Sequence, residues 1–176
     1  MREAGLDSGN FWYYDHSDVD GLYALGLTDN VLKADAPPMQ FLTVTTLKDP
    51  SKMHSGHHTC ESFAFVGYEA FEKWAHTKYG ERPADYAAMK EDLAWRMVKG
   101  LDKRVPGLSK HIVFWDLGTP LTNVHYLNAT RVQPDSAGAG RCLDVARTGL
   151  CHPYSHSGKG DGEHIRRQYR RPDAIA

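Results

Sequence analysis

The chain has 176 residues, 41% of them hydrophobic, with 21 Lys and Arg against 22 Asp and Glu for a formal net charge of −1. That length supports one ordinary domain with a real core, and the charge balance gives no electrostatic reason to expect nucleic acid or anionic headgroups as partners. No run reaches the roughly 20 apolar residues that span a bilayer, and the opening "MREAGLDSGNFWYY" lacks a basic-then-apolar leader pattern.

Three scattered cysteines, Cys60, Cys142 and Cys151, build no disulfide framework, so a reducing, cytoplasmic setting is expected. The sequon at Asn128 to Thr130 is read as chance on the same grounds.

In chain order, "NFWYY" is aromatic-rich and reads as a strand. "SDVDGLYALG" reads as a helix, with Ser17 or Asp18 as N-cap, acids in the first turn and Gly26 as its stop. "PPMQFLTVTTLKDP" is the clearest strand: two prolines bar an earlier start, β-branched residues fill it, and Asp49-Pro50 closes it. "CESFAFVGY" alternates, placing Cys60, Ser62, Ala64 and Val66 on one face and Phe63 and Phe65 on the other. These two strands should form an antiparallel pair.

Two helices are predicted next. Phe71, Trp74, Ala75 and Tyr79 have helical spacing before Gly80. A longer stripe steps by three and four through Tyr86, Met89, Leu93, Met97, Leu101 and Val105, with Pro83 near its first turn and Pro106-Gly107 at its end. "HIVFW" then reads as a strand, and "GTPLTNVHYLNA" as a helix capped by Thr119 with Pro120 at its first position. Beyond Arg131 the sequence is rich in glycine, shows neither period, and is expected to be poorly ordered. The run "RRQYRR" within it reads as a solvated tail.

"HSGHHTC", residues 54 to 60, looks most like chemistry. Structural zinc sites draw four ligands from spaced pairs, whereas His54, His57, His58 and Cys60 crowd one segment. Adjacent His57 and His58 point to opposite faces of an extended chain, and only distant His76 or His111 could complete a set. A polar inter-strand loop without metal is the expectation. No nucleophile elbow, Walker loop or H-E-x-x-H is present, and the glycines near 138 and 158 follow no predicted strand. Asp49 and Asp116, near strand ends, are explained by turns and helix starts, and no catalytic residue is assigned.

The order of segments carries more. "TLKDP" at 46 to 50, "GHHT" at 56 to 59, "ERPADY" at 81 to 86 and "GTPLTN" at 118 to 123 lie in a stretch, roughly residues 8 to 131, that resembles the later part of the phytoene desaturase and retinol saturase-like family. These are FAD-dependent oxidoreductases of the amine oxidase superfamily. The resemblance implies an α+β fold of mainly antiparallel strands with packed helices, a fragment of the substrate-binding portion of a two-domain FAD flavoprotein. It implies chemistry on the carbon–carbon bonds of a polyene, carotenoid or retinoid-like, with the histidine segment an inter-strand connection.

Family members open on a strand and a G-x-G-x-x-G loop that holds the FAD pyrophosphate, and close on a "GLYLCG"-like strand near the flavin. Neither has a counterpart here. The expectation is therefore residues 1–131 as a partial substrate-binding region and 132–176 as an unmatched tail, disordered or read out of frame. FAD is expected in the complete enzyme and not on this chain alone, which would be inactive by itself. Phe41, Thr43, Phe63, Phe65 and Trp115 are the expected lining of an apolar pocket. The rival class is a non-catalytic module that binds a lipid or a partner chain. Self-association is expected too, and contact with a membrane periphery is compatible with the sequence.

Overall fold

The computed structural model describes residues 1–53, 56–127 and, as backbone, 141–148. The fold is α+β, built on a five-stranded sheet in the order β1-β2-β3-β5-β4. Its strands are β1 (Asn10–Tyr14), β2 (Met39–Val44), β3 (Cys60–Val66), β4 (Asp116–Gly118) and β5 (Arg141–Thr148). Every neighbouring pair is antiparallel. The expected pairing of β2 with β3 is present, in a register that sets Phe41 opposite Phe63 and Leu42 opposite Ser62.

Four α-helices accompany the sheet among the described residues: α1 (Val19–Gly26), α2 (Thr45–Lys48), α3 (Ala84–Asp102) and α4 (Pro120–Leu127). The Asp18 carboxylate caps α1 by accepting from the Gly21 N–H at 3.0 Å, which satisfies one of the helix's orphan donors. Pro83 precedes α3, and Tyr86, Leu93, Ala94, Met97, Val98 and Leu101 form its buried stripe. That stripe serves two clusters. Leu93, Ala94 and Met97 pack with Ala64, Val66, Phe71, Trp74 and Leu117, while Leu101 packs with Leu42, Val44, Cys60 and Leu108.

Between helix and sheet lies a small polar network. The buried Gln40 amide donates from Nε2 to Ser62 Oγ and to the Met97 carbonyl, each at 3.0 Å, and Ser62 Oγ donates to the Phe41 carbonyl. Gly100 lets the helix approach it: a Cβ there would stand 2.6 Å from Gln40 Oε1.

Four expectations need correction. The strand at 39 ends at Val44, because Thr45–Lys48 turn into α2 while the Thr45 N–H still donates across to the Thr59 carbonyl. The segment around Phe71 is a 3-10 helix, Tyr68–Trp74, whose buried residues Tyr68, Phe71 and Trp74 recur every three positions, the 3-10 period. "HIVFW" is not a strand; the strand falls later, at Asp116–Gly118, where β5 supplies a partner. And the unpatterned stretch after Arg131 does supply a strand, β5, which pairs with both β3 and β4. The "RRQYRR" run and the glycines near 158 lie outside the described residues.

Candidate functional site

The sheet has two unlike faces. Gln40, Leu42, Val44, Ser62, Ala64 and Val66 turn toward α3 and are buried. The alternate positions of the three leading strands, Trp12, Phe41 and Phe63, fall in register across the opposite face. Phe41 and Phe63 stack with centroids 4.4 Å apart, and Trp12 meets both edge-on at 5.1 and 5.3 Å. Phe65 extends the row along β3, and Tyr23 of α1 lies 5.0 Å from it. Such offset and edge-to-face contacts match the quadrupoles of the rings, so the ladder stabilises itself as well as the sheet.

The ladder is only half-buried. Trp12 is 41% and Tyr23 39% exposed. Exposed apolar surface of this kind is where a ligand or partner binds when the patch is large enough. Two glycines fix how far α1 covers it. A Cβ at Gly26 would meet Phe65 Cβ at 2.8 Å, and one at Gly67 would meet the Leu27 carbonyl oxygen at 2.3 Å.

Of the five expected lining residues, the structure brings four together. Phe41, Phe63 and Phe65 belong to the ladder, and Thr43 follows Phe41 on the same face of β2, buried, with its hydroxyl unpartnered among the described residues. Trp115 is elsewhere: it is buried in the core beneath α3, 6.2 Å from the Trp95 ring. Trp12 and Tyr23 were missed from sequence, although "NFWYY" alternates and its middle residue could have been placed on the open face had the pairing register been known.

The histidine loop has a structural geometry. His58 Nδ1 lies 2.8 Å from Thr46 Oγ1, which also accepts the Thr59 N–H at 3.2 Å. The Thr46 hydroxyl can donate to Nδ1 of a neutral imidazole or accept from a protonated Nδ1. Burial holds the His58 pKa below the ordinary histidine value, and the α-amino group and Arg2 depress it further. Among the described residues no group of three or more His, Cys, Asp or Glu could hold a metal ion; His54 lies outside them. Asp49 accepts from the Ser51 hydroxyl and N–H at 2.6 and 3.1 Å, which lowers its pKa, and Asp116 accepts the Leu117 N–H at 2.8 Å.

A dinucleotide's pyrophosphate needs free N–H groups at a helix start reached through a glycine loop. The described residues do not fit one. The Asp18 carboxylate already occupies the α1 start, α2 continues β2 with no glycine between them and its Thr45 N–H donates to the Thr59 carbonyl, and α3 follows no strand directly. α4 does follow β4, but Pro120 has no N–H and the Thr119 N–H donates to Thr122 Oγ1 at 3.1 Å. The Thr119 side chain, expected as a cap, instead bonds the buried Tyr86 hydroxyl at 2.7 Å.

Comparison with known proteins finds relatives that the chain matches over part of their length. All-trans-retinol 13,14-reductase of Danio rerio is 30% identical over 135 residues, which are 74% of this chain and 22% of that protein. Prolycopene isomerase of Arabidopsis thaliana is 36% identical over 88 residues, 49% of this chain and 14% of that protein. The chain is related to the phytoene desaturase and retinol saturase-like family. It spans about a quarter or less of the length of the curated relatives it matches.

The all-trans-retinol 13,14-reductase of Rattus norvegicus is 28% identical over 159 residues and aligns with 88% of this chain, so that match runs past residue 131 wherever it starts. No family model and no solved structure matches the chain. No helix among the described residues is long and apolar enough to cross a membrane.

Proposed function

We propose that this chain carries an apolar substrate face of an FAD-dependent oxidoreductase acting on the carbon–carbon bonds of a polyene. The aromatic ladder of Trp12, Phe41, Phe63 and Phe65 carries the reading. A row of rings at 4.4 to 6.3 Å spacing offers a flat, polarisable surface to a rigid conjugated chain. The two relatives named for a retinol and for prolycopene support it. Residues 1–131 form part of the substrate-binding region, and β5 continues its sheet. A flavin would supply the hydride chemistry and would be held by residues other than those described. This chain's own residues bind and orient the apolar chain and exclude water from it.

The second reading is a non-catalytic module that uses the same face for a lipid or a partner. It is favoured by the described helix starts, none of which follows a strand through a glycine-rich loop. Titration with all-trans-retinol, following energy transfer from tryptophan, tests the common claim. Saturable quenching is expected, weakened by Phe63→Asp and reduced in amplitude by Trp12→Phe. Quenching that is linear in ligand, or indifferent to Phe63→Asp, refutes the face as a binding surface. A flavin absorption band that co-purifies with the chain would decide for the oxidoreductase reading, whereas saturable binding without one is expected under both.

A further inference from the structure

We infer that the β1 edge pairs with the β1 edge of a second copy of this chain, antiparallel about a two-fold axis at Trp12. β1 is one end of the sheet. The Asp15 N–H donates to the Pro38 carbonyl at 2.9 Å, in the same register that sets Tyr14 opposite Met39. Odd-numbered residues of β1 therefore bond toward β2, and Asn10, Trp12 and Tyr14 turn their N–H and C=O groups outward. Of these outward groups, the Tyr14 carbonyl receives the Arg104 guanidinium at 3.3 Å. The Trp12 N–H and C=O have no partner among the described residues.

Several features single out a second copy as occupant. With Trp12 opposite Trp12, Asn10 falls opposite Tyr14 at both ends, and all three outward positions are matched. About six main-chain hydrogen bonds result, the two to the Tyr14 carbonyls sharing their acceptor with Arg104. The strand "NFWYY" has no charge and no proline, the usual devices that block an edge. Asp15, already neutralised by Arg104 at 2.7 Å, would face Gly9 rather than another acid. The pairing also joins two aromatic ladders through adjacent Trp12 rings, which a peptide of unrelated sequence would not do. Five residues a side bury well under the ~800 Å² per partner of a standard stable interface, so the dimer is reversible and grows in with concentration.

Sedimentation velocity on the whole chain at rising concentration should show a monomer–dimer equilibrium. Asn10→Pro removes an outward N–H at the first strand position, where proline is tolerated. It deletes two symmetry-related bonds and should raise the dimer dissociation constant roughly tenfold. Phe65→Lys, on the open face but two strands from the edge, should leave it unchanged. Should Asn10→Pro fail to fold, Trp12→Cys decides: hydrogen-bonded antiparallel partners lie about 5.5 Å apart at Cα, within disulfide reach. Diamide should then give a covalent dimer whose linked peptides join at residue 12. A strict monomer at all concentrations overturns the inference, as does a dimer lost with Phe65→Lys but kept with Asn10→Pro. So does a Trp12→Cys chain that dimerises without linking at residue 12.

Discussion

Replacing Gly67 with alanine should loosen α1 from the aromatic face, and the size of the effect follows from contacts alone. At φ −68° and ψ 141° Gly67 has a backbone that any L residue adopts, so alanine brings no conformational strain. Its Cβ, however, would stand 2.3 Å from the Leu27 carbonyl oxygen and 3.1 Å from the carbonyl carbon. The neighbour is backbone and cannot swing aside. Moving it also stretches the bond from the Gly67 N–H to the Thr28 carbonyl, 3.1 Å long. Overpacking of this kind costs about 1–3 kcal/mol, and a weakened hydrogen bond about 1 more. The smaller entropy of an unfolded alanine chain returns about 0.4–1 kcal/mol. A net loss of about 1–3 kcal/mol lowers the melting temperature by about 3–10 °C for a domain of this size. Differential scanning calorimetry reads the shift, and near-ultraviolet circular dichroism reads the altered setting of Tyr23 against Phe65. Gly80→Ala is the control: at φ +85° with nothing within 4 Å, it pays only left-handed strain of about 1–2 kcal/mol and leaves the aromatic signal alone. A Gly67→Ala melt within about 1 °C of the parent would refute the argument from close approach.

Other perturbations probe the core and the loop. Leu93→Ala, at a fully buried position of α3, should cost about 2–5 kcal/mol in urea unfolding. Gln40→Leu strips the Met97 carbonyl and Ser62 of their amide donor and should cost about 1–3 kcal/mol, with unchanged helix content by circular dichroism. His58 has a depressed folded-state pKa, so below about pH 6.5 the unfolded chain binds a proton that the folded chain resists. Stability should therefore fall as pH drops from 6.5 toward the folded-state value, and His58→Gln should flatten that part of a stability–pH curve. An unchanged slope in the variant would mean another group sets it.

What could be read in advance was whatever is local. The β3 alternation, the α3 stripe and the Asp18 cap each depend on neighbours within a few residues, and each is found where the letters put it. Strand boundaries depend on partners, and there the reading slipped. Ile112 to Trp115 have the β-branched and aromatic character of a strand, yet β5 pairs with Asp116–Gly118 instead. "RCLDVART" has a short alternation in Leu143, Val145 and their polar neighbours, obscured by the glycines around it. Trp115 is large and apolar, a type that suits a pocket wall as well as a core, and its packing beneath α3 places it in the core. The Phe41 and Phe63 stack was legible because both strands alternate; Trp12 needed a register that no single segment encodes.

α3 has a consequence for how the domain comes apart. Its 19 residues extend about 28 Å, and one continuous stripe seals a cluster at each end. Neither cluster can lose the helix without exposing the other's Leu93, Met97 or Leu101, and the Gln40 bond to the Met97 carbonyl sits at the join. The two halves of the core therefore share one cooperative unit, and amide exchange along α3 should report a single opening free energy from Leu93 to Leu101.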